Sequence, residues 1–229
     1  MISFFIPIRK NSKRIKDKST RKIGKYNLGL TEIKIQHLKK LKNIAKNYKT
    51  LPKIEFIIST DSDKIKKYLK KFPWIKLHNR SKQLATDDCL DDLIKEVPKI
   101  CSGSYILWTH VTSPSFNEQC YKNFILHFLK NSKKHDSAFS ADLIGTYILN
   151  SKYKWVSHDR KKNKWPRTQD LEKHFSVNSA AFIAKRKIYF NNKDRLGKKP
   201  LPILSESKTG FDIDEMEDLI FFRKNLMNN

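Results

Sequence analysis

Apolar and polar positions alternate along the chain in two rhythms. Short apolar runs bounded by polar or basic stretches occur at 2–8 (ISFFIPI), 54–59 (IEFIIS), 105–109 (YILWT), 136–141 (DSAFSA) and 180–184 (AAFIA). Their length and their β-branched and aromatic content predict strands, the most apolar of them buried on both faces. Between them the period lengthens. Residues 31–48 place Ile33, Ile35, Leu38, Leu41, Ile44 and Ala45 near helical spacing, and 63–71, 88–97, 117–130 and 215–226 also read as helices. Strands alternating with helices imply βαβ units, so an α/β fold with a mostly parallel sheet and helices on both faces. Residues 143–175 break the rhythm: they are polar, carry Trp155 and Trp165, and hold no core helix. We read them as an insertion packed on the main body or on a second subunit. With no internal repeat and no Gly/Ser-rich linker, residues 1–229 read as one domain.

Composition narrows the function classes. Of 229 residues 38% are hydrophobic, enough to form a core. No apolar run reaches the ~20 residues of a membrane span, and the apolar run at the start precedes its charges, the reverse of a secretory signal. Cys89, Cys101 and Cys120 form no CxxC and leave one thiol over, which reads as reduced cysteines in a cytoplasmic protein. The formal net charge is +25, from 48 Lys and Arg against 23 Asp and Glu. Such a charge raises a nucleic-acid hypothesis. The lysines are spread along the chain and lie beside apolar helix positions, so they read as solvated faces, in a field that favours anionic substrates.

Five segments are candidates for chemistry. The loop after the first strand holds Arg9, Lys10, Asn11, Ser12, Lys13, Arg14, Lys16 and Lys18. It follows a buried strand, where open α/β sheets place ligands, and its cations suit a polyphosphate. It is not a Walker loop, and a solvated basic loop is the plain alternative. Near the carboxyl end, 211–218 packs five carboxylates. In an extended segment Asp212 and Asp214 share one side, while Phe211 and Ile213 face the core. Such a pair suits Mg²⁺; alternatively, Asp214 with Glu217 forms a capping box for the last helix. The stretch Arg80 to Asp88 includes Ala85, Thr86 and Asp87, and the last two could equally cap a helix. His110, in the exit from the third strand, suits contact with a base or sugar hydroxyl, or a purely structural role. Arg167 suits a bidentate clamp on a carboxylate or a surface ion pair.

Taken in order, PIRKNSKRIKDKS, IISTD at 57–61, RSKQLATDD with THVTSP, and FDIDEMEDL resemble the CMP-sugar synthetases, the acylneuraminate cytidylyltransferase family, across roughly residues 1–225. The resemblance implies a Rossmann-like nucleotidyltransferase fold, CTP as co-substrate, Mg²⁺, and a homodimer formed through the inserted segment. It assigns Arg9, Asn11, Ser12 and Lys18 to the triphosphate, and Arg80, Ala85, Thr86 and Asp87 to the nucleotide; His110 joins the nucleotide-binding candidates by its place after the third strand. It assigns Asp212 and Asp214 to the metal, Arg167 and Asn178 to the sugar, and the chemical step to Arg9, Lys18 and Asp212. The implied reaction activates a sialic-acid-like nonulosonic acid. The alternatives are a CMP-Kdo-type or other sugar nucleotidyltransferase, a degenerate nucleotide binder, and a basic nucleic-acid-binding protein. Departures from the pattern stand at Lys10-Asn11, His110-Val111 and 176–180, where paired glycines, Gln-Pro and Arg-Pro-Asn-Gly-Ala are usual.

Overall fold

The first strand is apolar at nearly every position and sits in the middle of the sheet. The computed structural model describes residues 1–86, 90–206 and 209–227. In it β1 (Ile2–Ile8) is flanked by β2 (Ile54–Thr60) and β4 (Tyr105–Trp108), both parallel to it. Its alternation feeds two cores. Phe4 packs with Phe56 and Tyr121 on one face, and Phe5 packs with Trp108 on the other. The first face is covered by α1 (Gly29–Asn47), α2 (Asp63–Leu69), α4 (Glu118–Asn131) and α6 (Met216–Met227). The second is covered by α3 (Leu90–Ile100) and α5 (Arg186–Asn192).

The sheet is completed by β3 (Ile75–Asn79), β5 (Ser137–Ile144), β6 (His174–Lys185) and β7 (Pro200–Leu204), in the order β3-β2-β1-β4-β6-β5-β7. Only β6 runs against the others: it is antiparallel to β4 and β5, while β5 and β7 pair in parallel. The α/β architecture, mostly parallel with helices on both faces, is the one expected.

Three elements escape the sequence pattern. β3 and β7 are edge strands, one half-polar (IKLHN) and one carrying two prolines (PLPIL), which an edge tolerates because one side of the strand has no neighbour to pair with. α5 is only seven residues long. The insertion is also shorter than expected. Leu143 and Ile144 still pair with Phe175 and His174, so β5 and β6 run out beyond the main sheet and carry residues 145–173 as an arm. The arm has its own aromatic cluster: Tyr147, Trp155 and Trp165 meet edge to face, and Arg160 lies over both tryptophan rings. The expected start of α3 at Asp88 lies outside the described residues.

Candidate active site

The chain steps outward from β1 to β2 and β3, then returns to the other side of β1 as β4. The carboxyl ends of β1 and β4 therefore form a topological switch point, where a crevice opens between diverging loops. Pro7 stands there, beyond the reach of the four-residue β4, where its missing N–H costs no sheet bond. A cavity of about 590 Å³ occupies the crevice. One wall is the β1 loop, with Arg9, Ser12, Lys13, Arg14 and Lys18. A second is the acidic segment, with Asp212 and Asp214, and a third carries His110, Thr112, Ser179 and Arg195.

The cationic loop and the acidic segment meet directly. Ile15, fully buried, anchors the loop, and Asp17 turns it with a left-handed φ of 56°. The turn buries Lys18, whose Nζ donates to the Ile213 carbonyl at 2.7 Å and lies 3.4 Å from Asp214 Oδ1. Arg14, more exposed, donates to Asp214 Oδ1 at 2.5 Å and to Glu215 Oε1 at 3.0 Å. The capping of α6 differs from the expected pairing. Asp218, not Glu217, reaches back, accepting from the N–H groups of Asp214 and Glu215 at 2.9 and 2.7 Å. The Asp214 side chain is thereby left to the loop cations.

Asp212 stands deeper. Its segment is laid along the β4 exit by a bond from Ile213 N–H to the Thr112 carbonyl at 2.8 Å. Burial raises the Asp212 carboxyl pKa above its ordinary value and the Asp214 charge adds to this, while bonds from Thr112 and Ser113 and the charge of Lys18 oppose it. Behind it, fully enclosed, Lys34 touches the Ser113 carbonyl at 3.3 Å and the Tyr121 hydroxyl at 2.5 Å. Burial brings the Lys34 ammonium down to about 7, against the pull of Asp212. Asp212 is thus a desolvated carboxylate short of counter-charge, a donor set that fits a divalent cation. Among the described residues no group of three metal-ligating side chains exists.

A second basin of about 840 Å³ lies across the loop, lined by Arg9, Asn11, Ser12, Asp61, Ala85 and Thr86 among others. The Lys10 N–H donates to Asp61 at 2.7 Å and pins the loop between the two hollows. Asn11, Ala85 and Thr86 therefore gather here, while Arg9 and Ser12 border both spaces. Asp87 lies outside the described residues. Arg80 is buried and lines neither hollow, holding Ser59 through its Oγ at 3.1 Å and its carbonyl at 2.7 Å. His110 borders the main cavity, with Nε2 accepting from Trp108 Nε1 at 2.9 Å. Burial, then the charges of Arg195, Lys34 and Arg80, hold its imidazole at about 3, so it is neutral at physiological pH.

The two expected sugar contacts stand apart from the cavity lining. Arg167 is exposed on the arm and pairs with Asp170 at 2.9 Å. Asn178 is tied to Ser140 at 2.6 Å and Ser205 at 2.7 Å, under Gly210, where a Cβ would collide with it. Ser179 belongs to the 176–180 stretch that the sequence marks out, whereas the sequence marks neither Arg195 nor Lys34 as part of a site. Lys34 looked like one more helix-face lysine. The only available signal for Arg195 was that it is one of nine arginines among 39 lysines.

A mostly parallel α/β sheet with a basic loop after the first strand and an acidic pair before the last helix, joined at the switch point, defines a nucleotidyltransferase-like protein. The comparisons carry this further. The cytidylyltransferase family model matches residues 3–217, and the chain belongs to that family. No curated protein sequence matches it. Among solved structures it is similar to CMP:2-keto-3-deoxy-manno-octonic acid synthetase complexed with CTP, at 13% identity and a TM-score of 0.62, over 99% of this chain and 98% of that one. It is similar to 4-diphosphocytidyl-2C-methyl-D-erythritol synthase from Anaerococcus prevotii, at 15% identity and a TM-score of 0.62 over the same shares. HddC from Yersinia pseudotuberculosis follows at 14% identity and a TM-score of 0.57, over 99% and 100% of the two chains. Among the described residues no helix is long and apolar enough to cross a membrane.

Proposed function

We propose that the protein transfers CMP from CTP to a hydroxyl of an acidic sugar of the sialic-acid-like nonulosonic class, releasing pyrophosphate. One observation carries this reading: a single cavity is walled by the cationic β1 loop and by Asp212 and Asp214. The acceptor oxygen forms a new bond to the α-phosphorus, the bridge to the β-phosphate breaks, and the acceptor proton passes to solvent. Positioning and charge neutralisation do most of the work in such chemistry. Arg9, Ser12 and Lys18 hold the triphosphate, with Arg9 and Lys18 countering the charge that grows on the leaving group. Asn11, Ala85 and Thr86 offer the second basin to the nucleoside. Arg80 supports that side through Ser59, and neutral His110 borders the acceptor. Asp212 and Asp214 would hold Mg²⁺, which supplies positive charge to the phosphates.

The arm supports a homodimer in this reading. It exposes Tyr153 (84%), Trp165 (60%) and Leu149 (47%), apolar surface that a second copy would cover. The enzymatic test is pyrophosphate release from CTP with a panel of eight- and nine-carbon 2-keto-3-deoxy sugar acids. Turnover with a nine-carbon acid supports the proposal. Turnover only with other acceptors overturns the nonulosonic assignment, and no turnover with any acid overturns the activity.

A further inference from the structure

Arg195 follows the short helix α5 and lines the main cavity. Its guanidinium carbon lies 4.2 Å from the ring centre of Phe182 and 5.2 Å from that of Trp108. Both rings belong to fully packed strands: Phe182 is on β6 and Trp108 on β4, paired with one another in the sheet. The group is therefore seated on a rigid floor. Burial pulls its pKa down, with only the neighbouring Tyr189 and Asp194 pulling the other way. Among the described residues no carboxylate lies within ion-pair distance of it, and its side chain makes no hydrogen bond.

A half-buried arginine with its face stacked and its N–H edge unspent is an unusual thing to maintain. The five donors of a guanidinium form a planar fork, and that of Arg195, partly buried and spent on no acceptor among the described residues, is left to face the cavity. By contrast Arg14 is already committed to Asp214 and Glu215, Arg167 to Asp170, and Arg186 to the Pro98 carbonyl. Beside Arg195 on the same wall are neutral His110 and Ser179, the latter held at a left-handed φ of 60°. Arg195 thus brings one fixed positive charge with polar neighbours to the cavity that Asp212 and Asp214 also line. A planar, singly charged carboxylate matches this fork in a bidentate way, where a phosphate would be better served by the cluster of cations across the cavity.

We propose that Arg195 is the carboxylate-binding residue of an acceptor subsite on the β4–β6 wall, and that it sets the preference for acidic over neutral sugars. The inference rests on the cytidylyl-transfer reading above and adds to it the residue that selects the acceptor.

The test compares wild type, Arg195→Met and Arg195→Lys in pyrophosphate release, with whichever sugar acid of the panel the wild type uses and with its carboxamide. Circular dichroism and Tm confirm folding. We expect Arg195→Met to raise KM for the acid about 10- to 100-fold, the worth of a charge-assisted bond. KM for CTP stays within about 2-fold, and the acid-over-carboxamide preference collapses. Arg195→Lys keeps the charge but not the fork and falls between. If the wild type turns over an acid and Arg195→Met keeps the preference, or raises KM for CTP instead, the carboxylate assignment is overturned while the activity stands. If Arg195→Met does not fold, Arg195→Lys decides: an unchanged acid preference and KM overturn the proposal. If the wild type turns over no acid, the activity itself falls and the subsite with it.

Discussion

Lys18 donates to the backbone carbonyl of Ile213 at 2.7 Å, a bond between residues 195 positions apart. It is buried, whereas the neighbouring Arg14 bridge to Asp214 is about half exposed. The two contacts join the same segments, but their energetic weights differ. Lys18→Met leaves the carbonyl of a fully buried residue without its charged donor and is expected to cost about 1–3 kcal/mol of stability. It also lowers turnover at least ~10²-fold by removing a charge from the phosphate site. Arg14→Ala breaks a solvated ion pair and costs at most about 1 kcal/mol. Thermal denaturation and pyrophosphate release on the two variants check the contrast.

Asp212→Ala is expected to lower turnover ~10²–10³-fold with the fold intact. Asp212→Asn is expected to melt at the same temperature as wild type or higher. A carboxyl whose folded pKa is raised binds its proton more tightly in the folded state. Its ionisation therefore weakens folding as pH rises from its unfolded pKa through its folded one, and the amide removes that penalty. A retained rate within a few-fold, or a large drop in Tm for Asp212→Asn, contradicts this account.

Glu55 offers a pH-dependence remote from the cavity. Burial pushes its pKa up, but bonds from Ser3, from the Ser102 hydroxyl and N–H, and from the Gly103 N–H outweigh it, and the net shift is downward. Its contribution is complete above the unfolded pKa of about 4.5 and is lost as pH falls through the lower folded value. Glu55→Gln is expected to cost about 1 kcal/mol at pH 7, allowing for solvent screening. It should flatten the acid limb of the stability curve while leaving KM for CTP unchanged. Denaturant titrations between pH 3 and 7 measure it.

The arm makes a separate prediction. Tyr153→Ser combined with Leu149→Ser removes exposed apolar surface while keeping the rings of Tyr147, Trp155 and Trp165. Light scattering after gel filtration is expected to show a dimer for wild type and a shift toward monomer for the pair. A wild-type monomer at micromolar concentration contradicts the dimer.

Central elements were legible because their patterns are strong. β1, β2 and β4 are nearly continuous apolar runs, and α1 and α4 keep their period over about five and nearly four turns. β3 and β7 were not, because edge strands need neither continuous burial nor full hydrogen bonding, so lysine, asparagine and proline survive in them. The meeting of the basic loop and the acidic segment is implied by the family resemblance, which gives one the triphosphate and the other its metal. The particular bonds are not: which acid would cap α6 depended on the backbone turn at Asp214 and Glu215, a local geometry shared by several acidic spacings. Arg195 was illegible for a related reason. Its setting is made by Phe182 and Trp108, which adjoin it only because β6 inserts antiparallel beside β4.

β7 ends at residue 204, and every strand of the sheet is already present by then. Asp212 and Asp214 come later, from the last tenth of the polypeptide. A product of premature termination just past β7 would keep every strand yet carry no acidic wall, and it would also lose Ile213, Leu219 and Phe222 from the larger core. A single stop codon there removes the cavity's carboxylates and core cover together, so a shortened clone is expected to lose solubility as well as turnover.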